Sequence, residues 1–225
     1  MAISSSRWAT GPFPALVHMH SCAGLSAGFK SGDATGSWAE RLASWGYAVL
    51  VVDSFTTRGI GEACLHGAPQ RLADAEGALI FLARQSFIDA GRIGAIGFSQ
   101  GGHFALSAVE PRDADLFEGQ GRHKFKAVVA FYPICAGEGD VTAPTLILIG
   151  EADEWTLASS CRDMLARRTG NGSPVTLIVY PGAHHSFDVP APERQLFGYR
   201  LAYNAAAAEN ATQEVRRFLA EHLGR

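Results

Sequence analysis

Ile93-Gly94-Ala95-Ile96-Gly97-Phe98-Ser99-Gln100-Gly101-Gly102-His103-Phe104-Ala105-Leu106 is the stretch on which the fold turns. Its first six residues are apolar or glycine, as expected of a strand buried on both faces. The last four suit a helix, and the glycines between suit a tight turn. Ser99 sits at the apex, inside G-x-S-x-G, where a strand running straight into a helix exposes a hydroxyl above the end of a sheet. The same pattern recurs at Gly24-Leu25-Ser26-Ala27-Gly28, so pattern alone does not choose between the two serines. Phe29-Lys30-Ser31-Gly32-Asp33, which follows Ser26, is loop-like; only Ser99 has a strand before it and a helix after it.

Outward from this stretch, apolar β-branched runs bounded by Gly or Pro recur at residues 15–20, 47–52, 127–132, 145–149 and 175–180. With 93–98 they make six candidate strands. Helical spacing of apolar residues marks 37–44, 71–87, 99–109, 157–169 and 193–223. The alternation predicts an α/β fold, a mostly parallel central sheet of at least six strands flanked by helices. No repeat, low-complexity tract or linker divides the chain, so residues 1–225 read as one domain, long enough to bury an enzyme-sized core. Intervals 111–126 and 136–143 are too short for a cap domain, which predicts an open site.

Composition narrows the partners. A net charge of -3 and a pI near 6.2 provide no cationic field for phosphates, so nucleic acid is not an expected partner. No apolar run reaches the roughly 18 residues of a membrane-spanning helix. Residues 1–11 lack the basic-then-apolar order of a signal peptide, so the chain as written reads as cytoplasmic; a periplasmic or secreted location would require a leader already removed. Cys22, Cys64, Cys135 and Cys161 form neither C-x-x-C nor Cys-His groupings, so no metal or other cofactor is expected. On spacing alone they read as buried thiols, although their even number permits two disulfides.

A serine hydroxyl needs a histidine to take its proton and an acid to orient that imidazole. Beyond the strand at 145–149 come Glu151, Asp153 and Glu154, with Asp153 the preferred acid. Beyond the strand at 175–180 come His184 and His185, either of which fits as base. His20 precedes Ser99 and ends the first strand, so it reads as an organiser of the loop there; His18, His66, His103, His123 and His222 read as structural or surface histidines. The backbone amide of Gln100, and that of Cys22 in the loop His20-Ser21-Cys22-Ala23-Gly24, are the expected oxyanion donors. Phe55, Arg58, Phe98 and Trp155 are candidate pocket residues.

With these segments in place the chain resembles the dienelactone hydrolase family of the α/β-hydrolase superfamily over about residues 15–187. The resemblance rests on His20-Ser21-Cys22-Ala23-Gly24, Asp53-Ser54-Phe55-Thr56-Thr57-Arg58-Gly59, Gly97-Phe98-Ser99-Gln100-Gly101-Gly102, Gly150-Glu151-Ala152-Asp153 and Tyr180-Pro181-Gly182-Ala183-His184-His185-Ser186-Phe187. The last segment is similar to the family's Y-x-G-A-x-H-[GS]-F, which implies that His185, not His184, is the base. Dienelactone enzymes use a cysteine nucleophile, a glutamate near the oxyanion loop and two arginines for the substrate carboxylate. Here Ser99, Ser21 and Val189 stand at three of those places, and Arg58 alone offers a similar charge. The resemblance also implies that the loops bearing Cys22 and Cys64 are neighbours, as are the regions of Cys135 and Cys161, which would allow two disulfides.

The expected activity is therefore a cofactor-free serine carboxylesterase with the triad Ser99, His185 and Asp153, acting on small or medium esters. Lactone hydrolysis or acyl transfer at the same site is the alternative, and a ligand-binding module on the same fold is the reading without chemistry. Oligomeric state is left open.

Overall fold

The computed structural model of the protein describes residues 11–25, 34–65, 71–111 and 123–224. Ser26 and His66 lie outside them. Strands β1 (Phe13–Met19), β2 (Ala48–Val52), β3 (Ile88–Phe98), β4 (Val128–Phe131), β5 (Thr145–Gly150) and β6 (Val175–Tyr180) form one parallel sheet in the order β2-β1-β3-β4-β5-β6. The helices are α1 (Ala34–Ser44), α2 (Arg71–Ala83), α3 (Gln100–Ser107), α4 (Ala158–Ala166) and α5 (Ala205–Leu223). The strand order reverses between β1 and β3, which places a crevice above their carboxyl ends, where α/β sheets bind ligands.

The near-continuous apolar runs are explained by layers on both faces. Successive β3 side chains alternate between faces. A side chain at Gly94 would meet Leu223 of α5, and Phe98 lies near Trp38 of α1, whereas a side chain at Gly97 would meet Gly101 of α3. α1 and α5 thus share one face, linked by an Arg41–Thr212 hydrogen bond and by Arg216 over the Trp45 ring, while α3 covers the other. β4 and β5 are buried throughout, β1 and β3 are buried except at their amino ends, and the edge strands β2 and β6 are partly exposed along most of their length. β3 starts at Ile88, earlier than its apolar run implied, so α2 ends at Ala83 instead of continuing to Phe87.

Two expectations are corrected. Residues 193–223 are not helical throughout: β7 (Arg194–Leu196) and β8 (Tyr199–Leu201) form an antiparallel hairpin, and α5 begins only at Ala205. Asn204 marks the boundary, its side chain accepting from the Ala207 amide as an N-cap. The cysteines are not free thiols either. Cys22–Cys64 and Cys135–Cys161 are disulfides, and no cysteine is left unpaired. β1 and β2 pair in parallel, so the loops at their carboxyl ends meet, leaving the Cys22 and Cys64 Cα atoms 4.7 Å apart.

Candidate active site

The turn from β3 into α3 holds Ser99 at φ 54°, ψ -118°, a strained conformation for a residue with a side chain. Close packing of the turn enforces it. A Cβ on Gly97 would lie 2.2 Å from the Gly101 carbonyl oxygen, and one on Gly101 would lie 2.3 Å from that of Met19, so glycine is needed at both places. Ser99 is the N-cap of α3, yet its hydroxyl does not cap the helix. Instead Oγ lies 3.0 Å from His185 Nε2.

His185 Nδ1 lies 2.8 Å from Asp153 Oδ2. A carboxylate only accepts, so Nδ1 carries the proton and the Nε2 lone pair faces Ser99. Asp153 is fixed in turn by the backbone amides of Trp155 and Thr156, both 2.9 Å from Oδ1. Ser99, His185 and Asp153 are all buried, whereas Glu151 and Glu154 are exposed and His184 lies outside the chain of contacts. The Thr156 hydroxyl sits 2.9 Å from Asp153 Oδ2, 3.0 Å from the Tyr132 carbonyl and 3.2 Å from His185 Nδ1.

The loop carrying His185 is braced from two sides. The Asp188 carboxylate accepts from Trp38 Nε1 at 2.7 Å and Tyr132 Oη at 2.9 Å, and burial pushes its pKa up. The Tyr132 ring, on a backbone at φ 35°, packs 4.7 Å from the His185 ring. From the other side, His185 forms a parallel bridge with Leu201 of the hairpin, and the Asn204 amide donates to the Phe187 carbonyl.

Above the triad is a cleft lined by Ser21, Phe98, Tyr132, Trp155, Arg194 and Leu196, among others. Cys22 and Val189 also reach it. Two of the pocket residues read from sequence, Phe98 and Trp155, thus face it; Phe55 and Arg58 do not. Phe55 is buried against the edge of His20, ring centroids 4.7 Å apart. Arg58 is held by Asp74 through two bonds of 2.7 and 2.8 Å and by the Ser54 carbonyl. Trp155 is held in place by stacking on Tyr199 at 5.0 Å.

Behind β1, His20 is neutral and buried. Its Nε2 accepts from the Ser54 amide and its Nδ1 donates to the Ser21 carbonyl, while burial and the Arg71 guanidinium lower its pKa to about 4. Sequence reading missed Thr156, Asp188, Arg194 and Arg71. Thr156, three residues beyond Asp153, and Asp188, three beyond His185, stood near recognisable motifs; Arg71 and Arg194 did not.

A buried serine, histidine and aspartate in series above a parallel sheet are the arrangement of an α/β-hydrolase. The sequence profile of the dienelactone hydrolase family matches residues 2–223, and the chain belongs to that family as a hydrolase. A relative from Bradyrhizobium sp., named a probable 2-oxo-3-(5-oxofuran-2-ylidene)propanoate lactonase, is 26% identical over 233 residues, spanning 95% of this chain and 86% of the relative. The fold is also that of a dienelactone hydrolase-like promiscuous phosphotriesterase from metagenomic libraries, at 20% identity and TM-score 0.71 over 96% of this chain and 89% of that one. A hyperthermophilic esterase from the archaeon Pyrobaculum calidifontis shares it at 18% identity and TM-score 0.66, over 94% and 76%.

Proposed function

We propose that the protein hydrolyses carboxylic esters through an acyl-enzyme on Ser99. The 3.0 Å contact between Ser99 Oγ and His185 Nε2 carries this reading. His185 takes the Ser99 proton as Oγ attacks the ester carbonyl, and Asp153 stabilises the resulting imidazolium. The oxyanion is received by the backbone amides of Gln100, the first residue of α3, and of Cys22. His185 then returns the proton to the departing alcohol, and a water activated by the same imidazole releases the acid.

The cleft is apolar on several sides, with Phe98, Trp155, Val189, Leu196 and Leu201, which supports small or medium acyl groups. The Bradyrhizobium relative supports lactones as a second substrate type, opened by the same steps with the leaving alcohol still tethered. The two cross-links support work in an oxidising compartment, periplasmic or secreted, over the cytoplasmic location read from composition.

Ser99→Ala should lower kcat for p-nitrophenyl acetate by at least about a thousandfold and abolish labelling by a fluorophosphonate probe. His185→Ala should match it, while His184→Ala should stay within about twofold of the parent. Turnover retained by pure Ser99→Ala protein would sink the proposal.

A further inference from the structure

Arg71, at the start of α2, is completely buried, and among the described residues no carboxylate lies within ion-pair distance of it. Asp74, whose charge acts on Arg71 from a distance, is engaged by Arg58 through two bonds. Burying an unpaired charge is unfavourable, so its other contacts bear on why it is there. Burial lowers the Arg71 pKa only to about 10, which leaves the guanidinium charged at neutral pH. It lies between the Phe55 and Phe104 rings, 5.2 and 5.6 Å from their centroids.

Its polar contacts all lead towards Ser99. Nη2 donates to the His20 carbonyl at 2.5 Å, in the loop after β1, and Nη1 donates to Gln100 Oε1 at 2.8 Å, on the residue after the nucleophile. Gln100 Nε2 continues to the Ala63 carbonyl at 2.9 Å, and the Ala63 amide donates to the Cys22 carbonyl at 2.8 Å. The Cys22–Cys64 disulfide closes the ring. The residues offering the two oxyanion amides, Cys22 and Gln100, therefore hang on one buried network with Arg71 at its centre.

We propose that Arg71 is a positioning residue that sets the spacing of the Cys22 and Gln100 amides through His20 and the Gln100 side chain. This rests on the Ser99 acyl-enzyme reading. Planarity matters, because one guanidinium spans two acceptors, one in the loop after β1 and one on the first residue of α3, whereas an ammonium is a single flexible point. The position is tuned for the tetrahedral oxyanion, so its loss acts on the transition state and leaves ground-state binding nearly unchanged.

The test compares Arg71→Lys, Arg71→Met and Gln100→Leu with the parent, using kcat and KM for p-nitrophenyl acetate and the inhibition constant of a trifluoromethyl ketone, whose adduct carries an oxyanion. Both Arg71 variants should lose about 10- to 100-fold in kcat, less than deletion of an oxyanion donor, with KM within about twofold and ketone inhibition weakened in parallel. Gln100→Leu breaks the same bridge while keeping Arg71 itself in place and should show the same pattern, which keeps the test open if Arg71 variants fail to fold. Full kcat in Arg71→Lys would show that charge alone suffices and would overturn the role, as would equal losses for kcat and for binding of the product alcohol. A parent that resists the fluorophosphonate probe would remove the Ser99 reading itself. Labelling at Ser99 combined with undiminished kcat in Arg71→Lys and Gln100→Leu would remove only the role of Arg71.

Discussion

On the side of the cleft to which we assign the oxyanion, Cys22 is joined to Cys64 through sulfur and to Ala63 through its carbonyl, on a network that includes the buried Arg71. On the opposite side, Arg194, Leu196 and Leu201 arrive on a hairpin of two three-residue strands, with Phe197 exposed at its turn. In the proposed acyl-enzyme reaction the first wall faces the developing charge, where donors must be in place beforehand because reorganising them would consume the stabilisation they supply. The second meets parts of the substrate that do not react, and small adjustments there change which substrate fits more than how fast the bond breaks. The second disulfide offers a control within the same molecule, since Cys135–Cys161 lines neither wall.

That control sets up the largest expected effect. The disulfides close loops of 42 and 26 residues, and the chain-entropy relation assigns each about 4 kcal/mol. Urea unfolding of Cys22→Ala/Cys64→Ala and of Cys135→Ala/Cys161→Ala should therefore give similar stability losses. Turnover at low temperature should separate them: the first pair loses about tenfold or more in kcat, and the second stays within about twofold. Equal kcat in the two double variants would erase the distinction between a catalytic wall and a merely structural cross-link.

Acid should strike the fixed wall next. Burial lowers the His18 pKa to about 3 and, with Arg71, that of His20 to about 4, both below the ordinary value of 6.5. Between pH 6.5 and about 4 the unfolded chain binds protons at both imidazoles that the folded chain does not. Stability therefore rises with pH across that window and is lost on acidification, each histidine adding at most about 1.4 kcal/mol per pH unit. His18→Leu should flatten the acid limb of a stability-against-pH curve by about one histidine's share. An unchanged slope would show that His18 does not carry the linkage.

The contrast between the walls also divides what the sequence disclosed from what it concealed. Ser99, Asp153 and His185 were legible because each lies within five residues of the carboxyl end of an apolar strand, and the tight strand-to-helix turn leaves a signature of small residues around Ser99. The disulfides could not be read from cysteine spacing, since a pair separated by 42 residues depends on which loops meet. Arg58, near the end of β2, looked like the cation of the site, but Asp74 claims it from α2; Arg71, with no motif around it, reaches inwards instead. The hairpin was concealed for a different reason. Three-residue strands offer too few positions for alternation to register, and the long amphipathic helix behind them dominates the pattern of residues 193–223.

On the hairpin wall, Leu196→Ala should raise KM for p-nitrophenyl hexanoate by about tenfold, the worth of one or two methylene contacts, while kcat for the acetate stays within about twofold. A fall in kcat for the acetate as large as that in the Cys22 and Cys64 double variant would make the two walls equivalent.

The smallest effect concerns Arg194, an exposed cation on the cleft wall. Its charge faces water, so attraction to an anionic substrate is weak and screened by salt over roughly 8–10 Å. Arg194→Gln should raise KM by about threefold for an ester bearing a free carboxylate and leave a neutral ester of equal size untouched. The difference should shrink in high salt, because a contact in high dielectric has little short-range energy to keep. If Arg194→Gln instead lowered kcat for both esters, Arg194 would belong with the residues that hold the transition state, and the hairpin would have to be counted part of the catalytic wall.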